Sequence, residues 1–362
     1  MMYSYEEELQ MLIEQTIMGQ DQTGQSKLSL SDFSGKTIMI SGATGMIGKC
    51  MIDLLMCCNE KQVLEKPVHI IALSRNKDSA KERLAQHWGK ETFRYLCCDV
   101  SREIPECGRA DYMIHAASNT HPLQYAQDSV GTIAANVLGT KNLLDYAVAH
   151  ETKRFCFLSS VEIYGENRGD VDRFDESYLG YLDCNTLRAG YPESKRAGET
   201  LCSAYYQTYQ LDFVIPRLSR VYGPTMLASD SKAISQFIKK AAAGEDIVLK
   251  SAGTQLYSYT YVADAVMGIL TVLLRGKTGE AYNISDTGSE VTLRQIAEWL
   301  AEDNKVRVVV EIPDAVEQKG YSTATKALLD TEKITALGFR PKTHMQDGLV
   351  KTVRSMGGIS RF

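Results

Sequence analysis

The sequence predicts an α/β protein: a doubly wound parallel sheet followed by a smaller C-terminal α/β part. Three observations predict it. Short, continuously apolar runs alternate with longer helix-like stretches between residues 37 and 215. A glycine-rich turn follows the first of these runs directly, and after Pro224 the alternation fades into shorter elements. Strands that are apolar throughout and separated by helices belong in a parallel sheet, because each crossover lays a helix on one face.

The elements follow in order. Residues 3–18 read as a short amphipathic helix with Leu9, Leu12, Ile13 and Ile17 on one face. Residues 19–27 hold two glycines, three glutamines and no apolar residue, which reads as a linker. The extension 1–34 either covers part of the main body or of a partner subunit, or stays a loosely held tail; both readings are open. Strands are expected at 37–40, 68–73, 94–96, 112–115, 154–158 and 213–215, with helices at 47–58, 131–150 and 191–209. The main domain spans 35–223, with return segments near 257–284. A second part comprises 224–256 and 285–355, with helices at 293–303 and 331–337.

Composition narrows the class. The 362 residues suit a large domain plus a smaller one, and 44% hydrophobic content fills an ordinary core. The net charge of -5 and a pI near 5.8 argue against a nucleic-acid binder, which needs a basic face. Nine cysteines, an odd number, show no metal-ligand spacing. The adjacent pairs Cys57–Cys58 and Cys97–Cys98 would point to opposite faces of a strand, which suits buried reduced thiols better than one shared ion. Glu6-Glu7-Glu8 stands where a secretory leader would be basic. The longest apolar run, 266–274, contains Gly268 and is too short to cross a bilayer. A cytoplasmic protein, off the membrane, is expected.

The turn reads Ser41-Gly42-Ala43-Thr44-Gly45-Met46-Ile47-Gly48. Gly42 allows the tight turn, Gly45 lets the backbone approach a pyrophosphate, and Gly48 lets the helix sit close to the sheet. With Thr44, Met46 and Ile47 between them, the helix N-terminus would hold phosphate charge. A glycine triplet alone is weak; between a strand and a helix it marks a Rossmann dinucleotide site. Such sites usually end the second strand with an acid for the ribose 2′-hydroxyl. Here Ser74 and Arg75 stand there, which suits a 2′-phosphate and tips the expectation from NAD towards NADP. Asp99 and Val100 follow the third strand and would lie against the adenine.

Tyr191 and Lys195 stand four apart, in Tyr191-Pro192-Glu193-Ser194-Lys195, and so share a helix face. Pro192 suits a first helical turn. Free tyrosine, with a pKa of about 10, is too weak an acid to serve as a base near neutrality. A neighbouring ammonium and a positive nicotinamide would both favour the phenolate. Tyr191 would then take a hydroxyl proton during hydride transfer, Lys195 would bind the nicotinamide ribose, and Ser160 would hold the same substrate oxygen.

Together these residues resemble the extended short-chain dehydrogenase/reductase family, the nucleotide-sugar epimerases, dehydratases and decarboxylases. The resemblance runs from about 36 to 353. It rests on Gly42–Gly48, Asp99-Val100, His115-Ala116-Ala117, the stretch 136–144, the stretch 159–165, Tyr191–Lys195, Val221-Tyr222-Gly223-Pro224, Tyr261-Val262-Ala263-Asp264, Tyr282-Asn283-Ile284 and Leu337-Gly338. It implies a tightly held NAD(P), a 4-keto sugar intermediate, Ala116 and Ala117 beside the dinucleotide, and a homodimer pairing the helices at 131–150 and 191–209 into a four-helix bundle.

The departures matter. Glu162 matches the glutamate of the dehydratases and decarboxylases, but Val161 stands where dehydratases carry an acidic aspartate. Glu162 therefore favours dehydration and Val161 favours epimerisation. Arg188-Ala189-Gly190-Tyr191 resembles the decarboxylases, yet the arginine they place seven residues before the Asp of the YVxD motif is Tyr257 here. Arg220 replaces a family asparagine, and we read it as supplying the phosphate-binding charge that Tyr257 lacks. Tyr257 would instead stack on a base or sugar, and His121 lies on a loop at the ligand edge. Two other classes stay open: a net NADP(H)-dependent reductase, and a non-catalytic cofactor sensor. Intact Ser160, Tyr191 and Lys195 argue against the sensor.

Overall fold

A computed structural model of the chain describes residues 4–17, 28–120, 128–311 and 324–357. Helix α1 (Tyr5–Ile17) comes first. Then come β1 (Thr37–Ser41), α2 (Met46–Glu60), β2 (His69–Ser74), α3 (Lys77–Arg83), β3 (Phe93–Cys97), β4 (Tyr112–His115), α4 (Ser129–Ala149), β5 (Arg154–Phe157), β6 (Ser159–Ser160), α5 (Gly190–Tyr209) and β7 (Phe213–Leu218). The remainder adds β8 (Arg220–Tyr222), α6 (Ala233–Ala243), β9 (Ile247–Leu249), β10 (Leu256–Tyr261), α7 (Val262–Arg275), β11 (Ala281–Ile284), β12 (Asp286–Thr292), α8 (Leu293–Asn304), β13 (Val308–Val310), β14 (Lys326–Ala327), α9 (Glu332–Ala336) and α10 (Met345–Ser355). Every strand and long helix expected between 37 and 215 is present, with ends shifted by up to three residues.

The main sheet runs β11-β7-β5-β4-β1-β2-β3, with the short β6 also on β7. Every pairing in it is parallel. The chain builds outward from β1 through β2 to β3, then restarts on the other side with β4. Strand order therefore reverses between β1 and β4, and the crevice beyond their C-terminal ends is where such sheets bind ligands. The strands are apolar on both faces because both are covered. Met39, Leu143, Phe155, Phe157 and Phe213 fill one core, under α4 and α5. Ile38, Ile40, Leu54, Val214 and Ile269 fill the other, under α2 and α7. A second sheet, β12-β10-β14 with β8 on β10, lies against the C-terminal helices, and β9 pairs β13.

The N-terminal extension covers its own chain. Leu9, Leu12 and Ile13 are buried, and α1 packs on α2; the side chain of Ile17 lies outside the described residues. Polar contacts fix the register. Tyr5 donates to Asp53 Oδ2 at 3.1 Å. Buried Glu8 accepts from the Tyr261 hydroxyl at 2.7 Å and from Lys351 Nζ at 2.8 Å. A carboxylate on the first helix thus holds the start of α7 and the last helix. Glu8→Ala deprives the buried Tyr261 hydroxyl of this acceptor, and a stability loss of about 1–3 kcal/mol is expected in urea unfolding. Glu8→Gln, which keeps an acceptor, should lose less; equal losses would assign the effect to packing.

Candidate active site

The ends of β1 and β4 are tied together. Ser41, the last residue of β1, places Oγ 2.8 Å from His115 Nδ1 and accepts from Ala117 N at 3.2 Å. Burial, with Lys195 nearby, holds His115 well below its ordinary pKa, so its ring is neutral. Gly42 has φ +71°, and a Cβ there would fall 2.7 Å from the backbone of Ala116 and Ala117; at Gly48 it would fall 2.4 Å from Gly42 O. Only glycine fits either position. Helix α2 starts at Met46 with no side-chain cap at Gly45 and no acid in its first turn, so its leading amides remain for an anion. Arg83 braces the turn from behind: Nε donates to Thr44 O at 2.8 Å and Nη2 to Thr225 O at 2.6 Å. Thr225 Oγ1 donates to Met46 O at 2.8 Å. No sequence signal pointed to Arg83, whose contacts lie far along the chain.

Beside the turn, β2 ends in Ser74, whose hydroxyl lies 3.2 Å from the Tyr95 hydroxyl. Arg75 Nη2 donates to Asn119 Oδ1 at 3.2 Å. Burial pushes the Asp99 carboxyl up, but hydrogen bonds from Ser101 and the nearby Arg75 outweigh it and hold Asp99 below its ordinary range. Val100 is buried against Gly139. These residues flank the same crevice edge.

Tyr191 and Lys195 sit in the first two turns of α5, both buried. Ser160, at the end of β6, is the neighbouring side chain that favours the charged form of the Tyr191 hydroxyl. Lys195 Nζ donates to Leu158 O at 2.7 Å and lies 5.9 Å from the Tyr191 ring centroid. Burial lowers the Lys195 ammonium to about 7 against the support of Glu199 and Cys202. Burial also pushes the Tyr191 phenol up; Ser160 lowers it and Glu162 raises it further. The sequence-based expectation that Lys195 draws the phenol down is not met in this arrangement, because desolvation dominates and Nζ is anchored on a carbonyl. Two influences remain for the phenolate: the positive N-terminal end of α5, and a positive nicotinamide. Nζ has one acceptor among the described residues, so a buried amine with donors to spare fits ribose hydroxyls. With the open α2 terminus, these features fit a bound dinucleotide held by Gly42–Gly48, Ser74, Arg75, Asp99 and Lys195.

Glu162 follows Ser160 by two residues, and its amide donates to Ser160 Oγ at 3.2 Å. Val161 is buried. The Glu162 carboxylate faces two guanidinium groups, Arg220 at 3.3 Å and Arg188 at 3.7 Å. Arg220 Cζ stands 3.5 Å above the Tyr257 ring centroid. Tyr257 is buried and its hydroxyl donates to Ala324 O at 2.6 Å. The expected stacking of Tyr257 on a base or sugar is thereby corrected on this face, since Arg220 covers it. His121 lies outside the described residues.

A glycine cradle at the switch point and a Ser–Tyr–Lys centre beside it, its tyrosine and lysine buried, define a dinucleotide-dependent enzyme. The family model "NAD dependent epimerase/dehydratase family" matches residues 38–285, and the chain belongs to that family, among the enzymes of the extended short-chain dehydrogenase/reductase type. It is 31% identical over 320 residues to UDP-glucuronic acid decarboxylase 6 of Arabidopsis thaliana, covering 87% of each chain. It is 28% identical to the dTDP-D-glucose 4,6-dehydratase of Bos taurus over 89% of each. Its fold matches the dTDP-glucose 4,6-dehydratase DesIV of Streptomyces venezuelae, solved with NAD bound, at a TM-score of 0.74 and 27% identity, over 88% of this chain and 96% of that one.

Lys195 gives a test in pH. Its folded-state pKa lies below that of the unfolded chain, so the unfolded chain binds the extra proton between about 7 and 10.5, and stability rises with pH across that window. Lys195→Met removes the term. Without dinucleotide, the variant should be the more stable near neutrality in urea unfolding, and the gap should close at alkaline pH. A gap independent of pH contradicts the burial of a titrating amine.

Proposed function

We propose that the protein oxidises the 4-hydroxyl of a nucleotide-sugar to a 4-keto intermediate and reduces that intermediate again within one turnover, as an epimerase, dehydratase or decarboxylase. The observation that carries this reading is the placing of buried Tyr191 and Lys195 in the first two turns of α5, with Lys195 Nζ anchored on Leu158 O two residues before Ser160, at the sheet edge that holds the glycine turn. Tyr191 takes the proton of the sugar hydroxyl and returns it. Ser160 holds the same oxygen through both steps. Lys195 fixes the ribose, and Glu162, two residues after Ser160, is the carboxylate we assign to the sugar. The nicotinamide, when bound, supplies the hydride acceptor and donor. Relatives whose names specify UDP-glucuronic acid and dTDP-D-glucose support a nucleotide-sugar as substrate.

Finer features belong to the same reading. Ser74 and Arg75, with no acid at the end of β2, support NADP over NAD, although DesIV was solved with NAD. We assign substrate binding to residues 224–256 and 285–355, and the dinucleotide domain to 35–223 with return segments near 257–284; Arg220 and His121 are proposed substrate contacts. A homodimer through α4 and α5 is supported by the groove those helices present, lined by Val137, Arg196, Ala197, Leu201 and Ala204, and by exposed Val130 and Leu138. Nine free cysteines suit the cytoplasm, and among the described residues no helix is long and apolar enough to cross a membrane.

Tyr191→Phe keeps the ring and removes the proton carrier. A fall in kcat of at least about a hundredfold is expected with a nucleotide-sugar, with dinucleotide affinity little changed in a fluorescence titration. Wild-type kcat in this variant would remove Tyr191 from the chemistry.

A further inference from the structure

Glu162 stands close to the catalytic pair, yet its carboxylate is turned onto two cations. Arg220 Nη2 donates to Oε1 at 3.3 Å, and Arg188 Nη2 lies 3.7 Å from Oε2. The two arginines come from separate places, Arg220 opening β8 and Arg188 in the turn before α5. Arg220 is held flat on Tyr257, whose own hydroxyl is anchored to Ala324 O. Its Nη1 is buried and has no hydrogen-bond partner among the described residues. A buried guanidinium N–H normally finds an acceptor. Two guanidinium groups thus face one carboxylate, and one Arg220 donor lacks an acceptor among the described residues. Beside a site for a sugar, that marks a place where a substrate anion can take over the contacts of Glu162.

We infer that Arg188 and Arg220 form an anion subsite for the sugar end of the substrate, and that Glu162 is a resident counter-ion which the substrate's own carboxylate displaces. This rests on the nucleotide-sugar reading above and narrows it to nucleotide-linked sugar acids. A guanidinium fork accepts a carboxylate or a phosphate equally well. Position favours the carboxylate: the backbone amide of Glu162 is bonded to Ser160 Oγ, so the cluster borders the group that holds the sugar oxygen rather than the nucleotide. The exchange swaps one carboxylate for another and conserves charge. Once displaced, Glu162 remains two residues from Ser160 and is left facing the sugar. Its resting role as counter-ion and its expected role as base then belong to successive states of one side chain.

The test is titration calorimetry on dinucleotide-loaded protein with three probes: the nucleoside diphosphate, its glucose conjugate and its glucuronate conjugate, each in UDP and dTDP form. Glu162→Gln removes the resident charge while keeping the shape. It should bind the glucuronate conjugate about tenfold tighter than wild type, with the other two probes changed less than about twofold. Arg220→Gln should weaken the glucuronate conjugate about tenfold and abolish the preference for it over glucose. Unchanged thermal midpoints would confirm intact folds. If Glu162→Gln weakens or leaves unchanged the glucuronate conjugate, Glu162 is no competitor and the inference is wrong, while the nucleotide-sugar reading survives. If it tightens the bare diphosphate equally, the carboxylate assignment is overturned and the arginines serve the phosphates. If no probe binds wild type at all, the nucleotide-sugar reading falls and takes this inference with it.

Discussion

In a parallel sheet every strand ends at the same edge, and the whole site follows from that constraint. Strand β1 delivers Ser41 and the glycine turn, β2 delivers Ser74 and Arg75, and β4 delivers His115, Ala116 and Ala117. The break from β5 into β6 delivers Ser160, and the step from β7 into β8 delivers Arg220. Residues nearly 180 positions apart in the chain meet there, as Met46 and Thr225 do. The order reversal between β1 and β4 opens the crevice, and the Ser41–His115 bond keeps its floor closed. Loops elsewhere can vary without moving these groups, because the sheet alone sets their spacing.

Desolvation is the second theme, and it acts against the groups that chemistry needs charged. Lys195 is brought down to about 7, and Tyr191 is pushed away from its phenolate form. On the sugar side, Arg188 and Arg220 are both turned onto the Glu162 carboxylate.

Much of this was legible in the sequence wherever function demands a local spacing. Gly42, Gly45 and Gly48 announce a strand–turn–helix because backbone must pass close to backbone there. Tyr191 and Lys195 announce one helix face because their spacing is close to one turn. Contacts through space were less legible. Arg83 reaches Thr44 and Thr225 across 39 and 142 positions, and no local pattern encodes that. Tyr257 looked like a ring waiting for a ligand, but its covering group, Arg220, comes from a neighbouring strand. The apolar face of α1 left open whether the extension packs on something or stays a loose tail; the structure packs it on its own α2. The spacing of Tyr191 and Lys195 fixes a shared face and says nothing about how dry that face is, and burial is what pushes the phenol up.

The account's central claim is that one hydride leaves the sugar and comes back. The most direct measurement follows a nucleotide-sugar deuterated at the sugar 4-position through a single turnover on dinucleotide-loaded protein, recording reduced-nicotinamide absorbance and product mass together. The account predicts absorbance that rises and then decays, with the deuterium retained in the product. Product formed with no absorbance change, or dinucleotide left fully reduced when turnover ends, would contradict it.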